Sequence, residues 1–431
     1  MKKINIGLIG FGTVGSGVVK ILKDKKSLLT EKLGVELVVK KVCDKDLAAK
    51  RNVSLDPSVL TRDPKEVIND PQIDILVELI GGEHPAKEFI TEALSKGKNI
   101  VTANKALLAR EGRELFALAK ERGKTIHFEA SVGAGIPIIK SLREGLVANR
   151  FAGIFGIVNG TSNYILSQMS ASNCSFAEAL REAQSKGFAE KDPTLDIEGG
   201  DSAHKLIILI YLCFGKFIPM EDIFVEGISR ISLSDINYAR ELGFEIKLLA
   251  IAKKDGSELE ARVHPTLIPR AHLLSSVSGI FNAIYVSADL AGELLFYGPG
   301  AGQLCAASAV VSDIVDSIQG IKAGLFRSTL NVGVDASVKA LRKIDDIESR
   351  YYIRFMAVDK PGVLAKVSGV LAKSGISIAS VTQKERRRSK VVPIVMIVHG
   401  AKEKNLRTAL AVIDRFDSIK EKTVAIRIEE V

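Results

Sequence analysis

The chain has 431 residues, 46% of them apolar and 26% charged, with a formal net charge of +9. That length leaves room for two or three domains, and the apolar share is enough for a large core. The charge is modest and interspersed with acids, which argues against a nucleic-acid-binding protein, although a basic balance suits small anionic ligands.

The four cysteines, Cys43, Cys174, Cys213 and Cys305, form no CxxC pair and have no His partner at metal-ligand spacing. They read as reduced thiols in a cytoplasmic compartment, with no structural zinc. The opening MKKINIGLIG has the basic start of a signal peptide but is interrupted by glycines and lacks a cleavage site. The longest unbroken apolar run, 206–214, is too short to span a bilayer, so no membrane is expected.

A strand is predicted over 3–9. It runs into Gly10, Phe11, Gly12, Thr13, Val14 and Gly15, and a helix follows over 16–23. Strand, GxGxxG and helix in that order is the context of a dinucleotide fingerprint. Gly10 serves the tight turn, Gly12 the approach of a pyrophosphate, and Gly15 the packing of helix on strand. The next strand, 35–43, ends at Asp44, where an acid would accept ribose hydroxyls and favour NAD. Lys45, Lys50 and Arg51 stand just beyond it and could hold the 2′-phosphate of NADP instead.

Strands over 73–79 and 99–102 lead to Gly81–Gly82 and to Ala103-Asn104-Lys105. Lys105 opens a helix over 106–122 at a strand end, where doubly wound sheets hold their ligands. A strand over 125–129 and the loop to Gly135 follow, and Pro137 starts a helix over 138–146. The carbonyls of that loop suit a hard cation.

Beyond this the pattern changes. A strand over 154–158 enters Asn159-Gly160-Thr161-Ser162-Asn163, a cap rich in amide and hydroxyl groups. The stretch 187–205, GFAEKDPTLDIEGGDSAHK, sets Glu190, Asp192, Asp196 and Glu198 ahead of Asp201 and Lys205 at a helix entrance. Asp201 and Lys205, four apart, share one helix face and offer an acceptor and a proton donor; a capped helix with a surface ion pair is the plain alternative. Strands over 245–253, 258–263, 282–288 and 293–297 then make an antiparallel sheet, with a hairpin turn at 254–257.

Gly298-Pro299-Gly300-Ala301-Gly302 returns the chain to a small-residue helix over 306–320, expected to pack back on the first domain. The charged stretch 331–350 reads as a linker, and the run KERRRSK ending at Lys390 as a solvated loop. From 351 the order strand, helix, strand, strand, helix, strand is ferredoxin-like.

The motifs GFGTVG, VELIGG, VTANKALLA, FEASVGAGIP, NGTSNYI, GFAEKDPTLDIEGGDSAHK and YGPGAG together resemble homoserine dehydrogenase over nearly the whole chain. DKPGVLAKVSGVLAKSGISIASV is similar to an ACT domain. The resemblance implies a Rossmann-type α/β nucleotide-binding domain over 1–132, completed by the helix at about 306–330. It further implies an α+β catalytic and dimerisation domain over 133–305, and a ferredoxin-like ACT domain over 351–431.

The activity implied is the reversible NAD(P)-linked reduction of aspartate 4-semialdehyde to homoserine. By motif, Lys205 resembles the proton donor and Lys105 a second lysine at the reacting centre. Glu190 and Asp201 would hold the substrate ammonium, Asp196 would orient, and Gly160 and Thr161 would bind substrate. Gly10, Phe11, Gly12, Thr13, Val14, Gly15, Lys105, Gly187 and Gly302 would hold the cofactor. A monovalent cation, sodium in the family, would sit on Glu129, Val132, Ala134 and Ile136.

Threonine is the effector such an ACT domain implies, acting near 359–362, and the assembly implied is a homodimer or homotetramer. With no kinase domain ahead of Met1, the monofunctional form is expected. Two departures stand out: Gln303-Leu304 replaces a helix-starting Pro-Thr, which should loosen the cofactor-side turn, and Phe188 replaces a tyrosine.

Two rival functions differ in class. An acylating semialdehyde dehydrogenase needs an activated cysteine, and none of the four has an adjacent base or motif. An amino-acid sensor with a silent Rossmann module would have no use for both lysines and both acids.

Overall fold

The structure, a computed structural model, describes residues 1–324, 335–383 and 391–430, so the basic run 384–390, residues 325–330 at the end of the expected completing helix and residues 331–334 of the expected linker lie outside it. Two units divide the chain: Met1–Phe151, His204–Met220 and Ala288–Asp335 form one, and Ala152–Ala203, Glu221–Ser287 and Ala336–Val431 the other.

In the first unit, β1 (Lys3–Ile9), β2 (Glu36–Cys43), β3 (Leu60–Thr61), β4 (Ile75–Glu78), β5 (Asn99–Thr102) and β6 (Ile126–His127) form one parallel sheet in the order 3-2-1-4-5-6. Chain direction across the sheet reverses between β1 and β4, and the glycine turn leaves β1 at that switch point. Ile4, Ile6 and Leu8 of β1 are buried with Val18, Val19 and Leu22 of the helix Thr13–Asp24. The sheet's central strands β4 and β5 are buried along their whole length, on both faces, as in purely parallel sheets generally.

The helix Gln303–Ala323 joins the same core through Ala307, Val310, Val311, Ile314 and Ile318. By length and composition it could cross a membrane, but these residues and the buried Asp313 make it a core helix. It begins three residues earlier than the sequence predicts. The turn ahead of it is not loosened by the missing proline: Gln303 Nε2 donates to Thr13 O (3.0 Å) and Ser16 Oγ (3.1 Å), tying it to the first helix.

In the second unit one sheet runs through the strands Phe281–Ala288, Phe151–Ile157, Phe244–Asp255, Glu258–Pro269, Val424–Ile428, Glu348–Val358, Val391–Lys402 and Ile378–Gln383, in that spatial order. Phe244–Asp255 and Glu258–Pro269 pair antiparallel along their whole length around a two-residue turn, in which Gly256 takes the positive φ (59°) such turns need. The last four strands, with the helices Val363–Lys373 and Glu403–Ile413, are the ferredoxin-like βαββαβ unit.

That unit is joined to the rest of the sheet by parallel pairing of Thr266 with Arg427 and Leu267 with Ile428. Buried charges at the junction are paired, since a lone ion there would be costly. Arg354 Nε meets Asp235 Oδ1 at 2.6 Å, and Arg427 reaches Glu403 (2.6 Å) and Glu226 (3.0 Å). Part of the stretch expected as a linker is docked: Ala340–Leu341 pairs with Glu258–Leu259, and Arg342 Nε reaches Glu258 at 2.8 Å.

Candidate functional site

The first unit supplies the glycine turn. Gly10 has φ 101°, and a Cβ there would lie 2.6 Å from the Leu79 carbonyl carbon. A Cβ on Gly15 would lie 2.1 Å from Gly10 O, so both positions are closed to any side chain. Gly12 differs. Nothing lies within 4 Å of its Cβ position, so the turn leaves open space at the N-terminus of the helix Thr13–Asp24, where a pyrophosphate would approach.

The end of β2 closes on that turn. Asp44 Oδ2 accepts from Phe11 N at 2.5 Å, and Arg51 donates from Nε to Phe11 O at 2.6 Å. The Arg51 guanidinium stands 4.6 Å from the Phe11 ring centroid and 3.5 Å from Asp44 Oδ1. An acid and an arginine are therefore both held beside the glycine turn.

Lys105 is positioned by a buried polar chain that joins the VELIGG and VTANK motifs. Glu78 Oε2 accepts from Thr102 Oγ1 (2.7 Å) and its Oε1 from Ile80 N (2.8 Å). Thr102 Oγ1 accepts from Asn104 N (3.0 Å), and Asn104 Nδ2 donates to Gly82 O (2.6 Å). Asn104 Oδ1 then caps the helix Lys105–Glu121 at Leu107 N, so Lys105 is its first residue and is half-buried. Burial pushes the Glu78 carboxyl above its usual range despite these donors. The sequence reading missed this clamp; its only signal was an acid inside an apolar strand.

The expected cation loop is also in this unit. Glu129 is buried, its Oε1 and Oε2 accept from Ile139 N and Lys140 N at 2.9 Å each, and desolvation pushes its carboxyl up to about 7. Val132, Ala134 and Ile136 are buried with it, and Gly135 N donates to Pro299 O at 3.0 Å, fixing the loop. The Ile136 carbonyl is engaged by Ile138 N (2.7 Å). A carboxylate and backbone carbonyls are the donor types a hard cation takes, and here both Glu129 oxygens and the Ile136 carbonyl already accept backbone hydrogen bonds.

In the second unit Asn159 ties the acids together. It caps the helix Gly160–Ser172 through Oδ1 and Ser162 N (2.8 Å), while Nδ2 donates to Asp196 Oδ1 (2.7 Å) and Asp201 Oδ2 (2.8 Å). Thr161 Oγ1 donates to Phe188 O (2.6 Å) and Ser162 Oγ to Asp196 O (2.9 Å). Gly160 is closed to a side chain, since a Cβ would lie 2.8 Å from Ile280 O. The NGTSN turn and the acidic stretch 187–205, two motifs apart in sequence, thus meet where the Asn159 amide holds Asp196 and Asp201.

Glu190 and Gly187 are exposed and outside that set. Asp192 is accounted for locally, accepting from Thr194 N and Oγ1 as a turn residue. Phe188 packs edge-on against Tyr164, with centroids 5.0 Å apart.

The helix Gly200–Phe214 carries Asp201 in its first turn and Lys205 four residues on. Asp201 is 3% exposed and Lys205 9%, so the lysine is not the surface residue of the plain reading. Lys105 and Lys205 both fall in the first unit with the glycine turn.

Three family models match the chain: "Homoserine dehydrogenase, NAD binding domain" over residues 10–129, "Homoserine dehydrogenase" over 137–315, and "ACT domain" over 351–417. The homoserine dehydrogenase of Neisseria gonorrhoeae is 44% identical over 100% of this chain and 99% of its own length; that of Bacillus subtilis is 41% identical over the same shares. Among solved structures, a homoserine dehydrogenase from Thiobacillus denitrificans is 42% identical with a TM-score of 0.91, covering 100% of this chain and 99% of that one. A hyperthermophilic archaeal homoserine dehydrogenase in complex with NADPH is 30% identical with a TM-score of 0.64, covering 74% of this chain and 98% of that one.

Proposed function

The chain belongs to the homoserine dehydrogenase family and is an NAD(P)-dependent oxidoreductase that interconverts aspartate 4-semialdehyde and homoserine; we propose the following division of labour among its residues. The observation that carries it is the Asn159 amide on Asp196 and Asp201, at the entrance of the helix that holds the buried Lys205.

Gly10, Phe11, Gly12, Thr13, Val14 and Gly15 hold the nucleotide, with Lys105, Gly187 and Gly302 as further contacts. Bound there, a nicotinamide would supply or accept the hydride. Lys205 gives its proton to the carbonyl oxygen as negative charge builds there, and takes it back in the oxidation direction. Lys105, fixed by the Glu78–Thr102–Asn104 chain, adds a second positive charge at the reacting centre.

Asp201 and Glu190 take the substrate ammonium, with Asp201 oriented by Asn159 and Asp196 beside it. The first-turn amides of Gly160 and Thr161 take the substrate carboxylate, since the Thr161 hydroxyl is engaged by Phe188 O. Glu129, with the carbonyls of Val132, Ala134 and Ile136, holds a monovalent cation, sodium in our reading, whose charge would stabilise a carboxylate that burial otherwise drives toward protonation.

The ACT domain binds an amino-acid effector, for which threonine is our candidate. A cleft of about 860 Å³ beside the 359–362 turn is lined by Lys360, Lys366, Lys373, Arg415 and Lys420 with one acid, Asp417, a charge balance that suits a carboxylate. The assembly we propose is a homodimer or homotetramer in the cytoplasm, where the four free cysteines stay reduced.

The test is NADPH and NADH oxidation with aspartate 4-semialdehyde, comparing the native chain with Lys205→Ala. Turnover by the native chain that disappears in the variant supports the reading. Equal turnover by both removes Lys205 from its role.

A further inference from the structure

His127 ends strand β6 and is 5% exposed, yet neither ring nitrogen has a hydrogen-bond partner. An unpaired buried imidazole is costly and calls for an explanation. Facing it are two acids of the helix Gln303–Ala323, Asp313 and Asp316, which lie three residues apart and so on one face. One ligand atom from each of the three residues lies within 4.8 Å of the others.

The two carboxylates are only partly occupied. Asp313 Oδ2 accepts from Glu129 N (2.8 Å), and Asp316 Oδ1 meets Lys140 Nζ (2.6 Å). The Asp316 side chain is 12% exposed, which gives the cluster its access to solvent, and Asp313 is 4% exposed.

We propose that His127, Asp313 and Asp316 form a binding site for a divalent transition-metal cation of the zinc or cobalt kind, separate from the sodium donors Glu129, Val132, Ala134 and Ile136. One imidazole nitrogen with two carboxylate oxygens is a borderline donor set, which zinc and cobalt accept and which sodium and magnesium do not seek. The ion fastens the end of β6 to the helix Gln303–Ala323, and solvent completes its coordination on the Asp316 side. Lys140 is the competing cation: its ammonium leaves Asp316 when the metal arrives.

The experiment is titration of the metal-stripped full-length protein with Co²⁺, reading the visible ligand-field bands and, by equilibrium dialysis, the number of ions bound per chain. One Co²⁺ per chain is expected, displaced by Zn²⁺. The bands vanish in His127→Gln, affinity falls at least about tenfold in Asp316→Asn, and it rises roughly tenfold in Lys140→Met as a competing charge is removed. A gain in affinity cannot come from misfolding, so the last variant decides the matter even if His127→Gln fails to fold. Absence of a stoichiometric Co²⁺ site in the native chain, or bands unchanged in His127→Gln, or unaltered affinity in Lys140→Met, overturns the proposal.

Discussion

Asn159 Nδ2 donates to Asp201 Oδ2 at 2.8 Å, across 42 residues of sequence, while its Oδ1 caps the helix Gly160–Ser172. Cap and clamp are separable. Asn159→Ala should lose both, costing about 1–3 kcal/mol of stability and roughly 10- to 100-fold in kcat/KM. Asn159→Ser should recover most of the stability and little of the activity. Chemical denaturation beside steady-state kinetics reads the two effects; parallel recovery of both would show that the amide matters only as a cap.

Lys205 is buried at the exit of the first turn of its helix. Lys205→Met keeps the aliphatic stem and removes the ammonium proposed as proton donor, so kcat should fall by roughly 10²–10⁴ with a much smaller change in nucleotide affinity. Stopped-flow turnover and fluorescence titration with NADPH check both halves.

The glycine turn yields a contrast between neighbours. Gly15→Ala puts a Cβ onto Gly10 O and should destabilise the fold, whereas Gly12→Ala meets no protein atom. The second variant should melt within a few degrees of the native chain and yet bind nucleotide at least about tenfold more weakly. Calorimetry with and without NADPH distinguishes them.

Arg51 and Asp44 are the residues we expect to set the choice of cofactor. Arg51→Ala removes the guanidinium held over Phe11 and should raise KM for NADPH roughly tenfold while changing that for NADH little. Comparing kcat/KM for the two nucleotides is the measurement; equal losses would assign Arg51 to the turn's structure alone.

Lys247 gives a pH dependence of stability. It is 4% exposed, donates to Val277 O at 2.5 Å, and burial lowers its pKa to about 8, with the Glu245 charge opposing. Between pH 8 and the ordinary lysine value of 10.5, the unfolded chain holds the proton and the folded chain does not, so unfolding free energy should rise with pH in that window. The span is about 3 kcal/mol, and below pH 8 the folded state bears the full penalty of a buried ammonium. Lys247→Met should flatten this slope in urea denaturation at pH 7.5, 9 and 10.5.

Much of the fold is written locally. The glycine turn after a strand, the hairpin at Gly256 and the helix entrance at Asp201 follow from periodicity, caps and turn chemistry, although the strand expected over 258–263 runs on to Pro269 and the helix expected over 138–146 is α-helical only to Lys140. The lysines and acids were singled out by motif order. Glu190 shows the boundary: the motif names it, but its exposed side chain lies outside the set of acids held by Asn159.

Relationships between distant residues were not legible. The Glu78–Thr102 bond, the Gln303 tie to Thr13 and Ser16, and the meeting of His127 with Asp313 and Asp316 join residues 24 to 290 positions apart. Propensity and periodicity act over a turn or a strand, so the sequence determined which elements form and which residue types stand at their ends. Which of those ends come together, and which polar atoms are satisfied or left without a partner, was decided only when the sheets packed and removed the alternatives that water had offered.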